Sequence, residues 1–520
     1  MNHRMYTAIV KKERIVKTRH PLVSLLGGVV VWCAAILSSV CYGEEGLPEK
    51  SALSLSLKQS VELMLTNNLD LKVERYNPFI EEKEITKEKA EFDPLARFSL
   101  HDNKLVVSPT TFLNGVWNSS YEEERIDYES SMSKKFITGG VGELKFTTNR
   151  FETNSFFQYI SPTYYSSLVF SLNQPLLRNF GITLNKSRIT ISSNHRDISH
   201  SRLKDKTITM ITALQQLYWN LYLSQQVRAV KQSSLQLARD LLERNRVLVE
   251  VGKLPSVEIV RAQTGVASRE EGVIIAENKV DDVEDVLMET LNLPLGDRVI
   301  TLLDTPMLKE PPQVAAEDYL KVALENRPDY EETKIHLKNL EVAHQAAKNA
   351  MLPLFDLQAS YGINATKGHH EESVEGLHTG GDYSWLVGFK MEIPLGNRWA
   401  KSNYEKSRLE VTKATTSIES LEKKIELEIR EALREIESSY KRIYVTQEAR
   451  RMAEKNLEAE EERMNLGMST TVDVLQFQEE LTTARCSETN ALVDYINALS
   501  VLHKVTGTTL ETYQISLKES

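Results

Sequence analysis

Apolar side chains recur along residues 418–443 at Ile418, Leu421, Ile425, Ile429, Ala432, Ile436, Tyr440 and Ile443. The steps of three and four average near 3.6, the period of one face of a straight α-helix, rather than the 3.5 of a left-handed coiled coil. Around this stripe the chain runs from Ala400 to Asn465 without Pro or Gly, and a second such run extends from Asn185 to Val247. Nothing in either run breaks a helix, so each predicts one of roughly 95–100 Å. Shorter helices are predicted at Ser54–Phe92, Val257–Leu291, Ala316–Met351 and Thr470–Val505. Two of these end to end reach about 110 Å. A long helix beside two stacked short ones therefore makes a slab of even height. An ordinary coiled coil is the competing reading of the helices alone.

Period-two patterns lie between the helices. Phe355 to Ile363 alternates apolar and polar faces. Trp385, Val387, Phe389, Met391 and Ile393 alternate with Ser384, Leu386, Gly388, Lys390 and Glu392, and Leu168, Phe170 and Leu172 with Val169, Ser171 and Asn173. Strands near ten residues with this period suit a membrane barrel, apolar to lipid and polar to lumen. They equally suit a soluble sheet packed on one face. In lipid the strands must close into a barrel, because an open edge leaves backbone groups unpaired. Two copies of a four-stranded sheet would make an eight-stranded barrel filled by side chains, and three a twelve-stranded one with room for a channel. Between Phe92 and Pro175, however, lie 82 residues, about twice the matching stretch before Pro394. Ser131–Phe136 and Val141–Asn149, joined by Gly139-Gly140, read as an added hairpin. The expected count is four strands per chain with that hairpin as surface elaboration; six strands is the alternative.

The chain is written twice. Val61 to Leu71 aligns without gaps on Leu320 to Tyr330, and at the same offset of 259 Asp93-Pro94-Leu95 falls on Leu352-Pro353-Leu354. Asn173-Gln174-Pro175-Leu176 then falls on Glu392-Ile393-Pro394-Leu395, and Gly252 to Gln263 on Gly467 to Gln478. Each half reads helix, Pro, strand, loop, strand, Pro, long helix, Gly turn, helix. The first repeat spans 44–304, with strands about 93–175 and a hairpin tip about 252–256. The second spans 305–505, with strands about 353–394 and a tip about 467–471. Residues 506–520 form a C-terminal tail.

Residues 1–43 carry six basic side chains against one acid, Glu13, and the stretch from Leu22 to Val40 is uncharged. Small residues and Glu44-Glu45 follow, which makes 1–43 a secretory signal peptide with cleavage after Gly43. A retained anchor is the alternative, since the apolar run is nearly long enough to span. Lipidation of Cys41 is disfavoured by the large Val40 before it. Removing six bases and one acid from the 63 bases and 73 acids of the whole chain leaves 57 and 72, a net charge of −15. That acidic balance argues against nucleic-acid binding. Only Cys486 remains after cleavage, so neither an intrachain disulfide nor a cysteine metal cluster can form. No phosphate loop, nucleophile elbow or zinc-protease helix occurs, so no enzyme and no cofactor is expected.

The leader, the duplication, the Pro-flanked strands, and above all "GKLPSVEIVRAQ" at 252–263 and "GMSTTVDVLQFQ" at 467–478 resemble the TolC-like outer membrane efflux proteins. The resemblance covers nearly the whole mature chain. It implies an α+β membrane protein whose duplicated helix-strand-strand-helix halves form, as a homotrimer, a shared transmembrane β-barrel and a long periplasmic α-helical barrel. A mixed equatorial zone would take in Leu293–Pro312 and the C-terminal tail. It implies an outer membrane exit duct for a tripartite efflux pump or a type I secretion system, a passive conduit opened at its periplasmic tip. The partners would be a periplasmic adaptor and an inner-membrane pump or ABC-type transporter. A secreted long-helix scaffold or adhesin without a pore is the other class of function considered.

The resemblance makes Gly252, Lys253, Leu254, Pro255, Gly467, Met468, Ser469 and Thr470 the adaptor-docking tips. It makes Glu258, Asp473 and Gln476 the lining of a periplasmic constriction, where threefold acidic rings attract cations. The chain departs from the family pattern at Gln476, where an acid is usual, at Ser469, where a base can stand, and at Met464, which replaces an aromatic. In the tips themselves, Gly252 and Gly467 can take the left-handed conformation that ends a helix. Ser256 and Thr470 or Thr471 can cap the next one. Glu458, Glu460, Glu461 and Glu462 read as a solvated face. His369, His370, Glu371, Glu372, His378 and Asp382 are of metal-ligand type but lack fixed spacing, and read as a hydrated external loop.

Overall fold

A computed structural model describes residues 51–515 apart from 110, 118, 296–297, 313–314 and 380–381. The leader inferred over residues 1–43 and the last residues of the tail lie outside the described residues. In chain order the elements are β1 (Ser51–Leu55), α1 (Leu57–Asn67), α2 (Leu69–Lys89), β2 (Leu95–Val107), β3 (Tyr121–Lys135), β4 (Val141–Thr153), β5 (Thr163–Pro175), α3 (Ile182–Asn185), α4 (Ser187–Glu250), α5 (Val257–Thr290) and β6 (Arg298–Leu302). They continue with α6 (Ala316–Asn326), α7 (Pro328–Ala350), β7 (Leu354–Lys367), α8 (His370–Thr379), β8 (Asp382–Glu392), α9 (Arg398–Asn465), α10 (Thr471–Val505) and α11 (Thr509–Thr512). Among the described residues, no helix is long and apolar enough to cross a membrane.

The long helices have 64 residues in α4 and 68 in α9, about 96 and 102 Å. The apolar stripe of α9 divides between two partners. Ile425 and Ile429 pack with Ala323 and Tyr330 of α6 and α7, whereas Ala432, Ile436 and Ile443 pack with Ala491, Tyr495 and Leu502 of α10. Each buried isoleucine contributes roughly 2–3 kcal/mol. In the same way α4 is flanked by α2 near the sheet and by α5 at the far end, and it packs on α7 and α10 across the slab. At mid-height the parallel pair β1–β6 and the tail meet α4. There Leu55, Ile300 and Leu510 share a core with Ile208, Ile211 and Leu214.

The helices expected at Ser54–Phe92 and Ala316–Met351 are each two helices. Their breaks, at Asn68 and Arg327, are equivalent positions of the repeat. Both residues have extended ψ, 129° and 122°. At Arg327 the cause is Pro328, which disfavours the helical region for the residue before it and starts the next helix well. At Asn68 it is the side chain, which accepts from the Leu71 N–H at 3.0 Å and caps α2. Each residue also satisfies the end of the lower helix. Asn68 Nδ2 donates to the carbonyl of Thr290 at 2.9 Å, and Arg327 Nη1 to that of Val505 at 3.2 Å. Thr290 and Val505 are equivalent too, so one junction is built twice with different donors.

The sheet corrects the favoured strand count from four to six. All six strands are antiparallel neighbours in the order β2-β3-β4-β5-β7-β8. The hairpin taken as surface elaboration is β3–β4, which pairs without interruption to β2 on one side and β5 on the other. Its turn closes with Phe136 and Gly140 bonded through their backbones at 2.7 Å and Gly139 at φ +95°. Register fixes the faces. One crosswise row joins Ala96, Met132, Leu144, Phe170, Tyr361 and Trp385, all on the same side. The adjacent row on the other side joins Arg97, Ser131, Lys145, Val169, Gly362 and Ser384. Both outer strands, β2 and β8, keep an unpaired edge, and almost every residue of them is exposed.

Residues 370–379, expected to be loop, form α8. The acids Glu371 and Glu372 suit its N-terminal turn. The helix seats on β5 and β7: Ser373 Oγ meets Ser166 Oγ at 2.9 Å, and a Cβ on Gly376 would come within 2.7 Å of Ala365 Cβ. His369, His370, Glu371, Glu372 and His378 all point to solvent.

Candidate functional site: the hairpin tips

Each long helix ends in the same backbone device. In the first tip Gly252 has φ +73°, its N–H donates to Val249 O at 2.9 Å, and Lys253 N donates to Leu248 O at 2.8 Å. In the second, Gly467 has φ +76°, its N–H donates to Met464 O at 3.0 Å, and Met468 N donates to Arg463 O at 2.8 Å. This pair of bonds satisfies the last helical carbonyls and requires the left-handed region. A Cβ on either glycine would meet nothing within 4 Å. The requirement is therefore conformational, worth about 1–2 kcal/mol against a non-glycine residue.

The helices that follow start differently. Thr470 caps α10 in a full capping box: its Oγ1 accepts from Asp473 N at 3.3 Å, and Asp473 Oδ2 accepts from Thr470 N at 3.1 Å. Those bonds from Thr470, with the nearby Arg463 charge, hold the Asp473 carboxyl below its ordinary pKa. Thr471 is buried instead, its Oγ1 accepting from Asn245 Nδ2 at 2.8 Å. The cap expected from Ser256 does not form. Ser256 already has helical angles, and the turn starts at Pro255, whose carbonyl accepts from Glu258 N at 3.1 Å.

The two hairpins are fastened together just behind the tips. Asn245 of α4, fully buried, bonds to Thr471 of α10 and, at 3.4 Å, to the Glu258 carbonyl of α5. Arg269 of α5 reaches across to the Leu475 carbonyl of α10 at 2.8 Å, and burial lowers its pKa. Leu241, Leu457, Met464, Val474 and Leu481 fill the space between, so Met464 is a core residue here.

The three constriction candidates do not bond to one another within the chain. Glu258 is buried and pairs with Arg261 at 2.6 Å. Asp473 is committed to its capping box, and exposed Gln476 donates to Glu480 at 3.0 Å. Of the acids before the second tip, Glu458 and Glu462 are exposed as expected, but Glu460 is buried, held by Arg463 at 3.0 Å and by Ser469. Sequence reasoning missed the apolar surface of the tips. Val251, Val257 and Val260 in the first, and Leu466, Met468 and Val472 in the second, are all largely exposed. Lys253 and Pro255 are exposed beside them, with Leu254 half-buried. The signal lay in valines that fall off the buried face occupied by Ala262 and Val474.

Residues 319–508 match the family described as outer membrane efflux protein. The match runs from α6 through α10, 190 of the 520 residues. Similar solved structures are the outer-membrane channel OprN (TM-score 0.65, 14% identity, 87% of this chain and 90% of that one) and the CmeC outer membrane channel of Campylobacter jejuni (0.63, 16%, 87% and 86%). The outer membrane protein VceC of Vibrio cholerae is another (0.62, 14%, 87% and 96%). At these identities the likeness is one of fold, and it extends through both halves. No curated protein sequence matches the chain.

Proposed function

We propose that the chain is one of three identical staves of an outer membrane exit duct, serving a tripartite efflux pump or a type I secretion system. The observation that carries this reading is the sheet, apolar on one face, polar on the other, and unpaired along both edges. Such a sheet is stable in a bilayer only when its edges are closed by further copies. The slab of helices stands below it on the periplasmic side and ends in the two tips. Their exposed valines, Leu466 and Met468 give a periplasmic adaptor an apolar surface to grip, and an inner-membrane pump or ABC-type transporter supplies the energy. Glu258, Asp473 and Gln476 lie within two turns of the tips, where threefold repetition brings them around the axis. Arg261 and Arg463 stand against the acids, so the entrance is charge-balanced rather than purely acidic. The duct itself is passive. Material extracted from membranes in detergent and placed in a planar bilayer is expected to give steady unitary conductance, with cation preference reduced by neutralising Asp473. A chain that stays soluble without detergent and conducts nothing would contradict the reading.

A further inference from the structure

The β3–β4 hairpin has no counterpart in the second repeat. The offset between the halves is 259 before the first strand, at Pro94 and Pro353, and 219 after the last, at Pro175 and Pro394. Some 40 residues therefore enter the first half between β2 and β5 (259 less 219). They form strands of 15 and 13 residues, as long as their neighbours β2 and β5. An appended surface hairpin would be free of the band that faces lipid. This one continues it. The row Phe98, Ser130, Phe146, Leu168, Ile363 and Tyr383 crosses the hairpin on the apolar face. The row Ser99, Glu129, Thr147, Ser167, Asn364 and Asp382 crosses it on the polar one. Of its ion pairs, Glu129 with Lys145 at 2.8 Å and Arg125 with Asp127 at 2.9 Å lie on that polar side, and Arg150 with Glu124 at 3.1 Å lies on the other, toward the strand ends far from the helices.

We propose that β3 and β4 are wall strands, and that three copies joined β8 to β2 close an eighteen-stranded barrel as wide as the helical barrel beneath it. This rests on the trimeric-duct reading and adds the width of the exit. Eighteen strands spaced about 4.8 Å apart and tilted about 40° give a circumference of roughly 110 Å and a diameter of about 36 Å. Three slabs four helices wide place twelve helices in a ring, which at about 9 Å spacing is again roughly 110 Å around. Twelve strands would reach only about 75 Å and form a neck. The inserted hairpin removes that neck, so cargo that passes the opened tips meets no narrower wall in the membrane.

The test uses the full chain in liposomes, with Cys486→Ser removing the one cysteine beyond residue 43. Single cysteines are placed at Tyr128 and Leu144 on the apolar face, at Glu129 and Lys145 on the polar face, and at Phe389 and Lys390 in β8 as the control pair. They are treated with a membrane-impermeant maleimide. The proposal expects labelling of Glu129→Cys, Lys145→Cys and Lys390→Cys, and loss of labelling at Tyr128→Cys, Leu144→Cys and Phe389→Cys until detergent is added. Labelling at all four hairpin positions while β8 still alternates would overturn the proposal and leave the duct standing. Loss of alternation in β8 as well would overturn both.

Discussion

Arg327 and Asn68 close the same junction with different chemistry, and the difference is measurable. Arg327 is nearly buried and bridges Asp329, Glu428 and the Val505 carbonyl. Arg327→Met strands all three and is expected to cost about 3 kcal/mol, whereas Asn68→Ala loses a cap and costs about 1 kcal/mol. Thermal unfolding in detergent reads both. Burial opposes ionisation of Asp329, yet the bonds and charge of Arg327 hold its carboxyl below the ordinary value. Its stabilising contribution is complete above the ordinary carboxylate pKa near 4 and is lost as pH falls through the depressed folded value. The penalty of Arg327→Met should therefore shrink in acid. Asp205, nearby on α4, has the opposite sign. Burial, then the Asp329 charge, raise its pKa, so its contribution is present below the ordinary value and lost as pH rises through the raised one. Asp205→Asn should stabilise the protein at neutral pH and do nothing at strongly acid pH. A neutral-pH loss would contradict this assignment.

At the scale of elements, long periodic segments were legible and local exceptions were not. The α9 stripe states its own burial, because every third or fourth residue is apolar over seven turns. The break at Arg327 was written in Pro328. Asn68 carried no such mark, and only its equivalence to Arg327 in the repeat could have revealed it. Strand β3 was underestimated because Glu122, Glu123, Glu124, Arg125, Asp127 and Glu129 read as loop. Its apolar positions, Ile126, Tyr128 and Met132, gain meaning only when register aligns them with β2 and β4. The second-half loop concealed α8 for a related reason: its ligand-type residues drew notice, while the small residues that seat it, Ser373 and Gly376, did not. That seat is tight, so Gly376→Leu is expected to lift α8 and expose the peptide bond after Lys367 to trypsin, with the helical slab unaffected. Unchanged digestion would show that the seat does not hold α8.

At the scale of the whole molecule, the proposed duct makes each chain a stave. Its helices satisfy their own backbones and bury their own stripes, but its sheet ends in two raw edges and, apart from the seat of α8 at Ser166 and Ala365, leaves an apolar face uncovered. The tips show the same incompleteness. Capped and fastened within the protomer, they still present apolar surface outward, and their charged residues meet no counterpart from the other repeat. The duplication explains why both tips share one construction, and the inserted hairpin explains why the two halves differ above them. In the proposed duct, function belongs to the assembly, and closure of the sheet is the step on which it depends.

Closure is tested most directly at the two edges. Arg97 in β2 and Lys390 in β8 lie on the polar face, near the ends of their strands that join the helices. In the Cys486→Ser background, Arg97→Cys and Lys390→Cys together, treated in native membranes with a short bifunctional maleimide, are predicted to yield a covalent ring of three chains, while either substitution alone yields monomers. Double-cysteine material that remains monomeric, or stops at two chains, would contradict the duct.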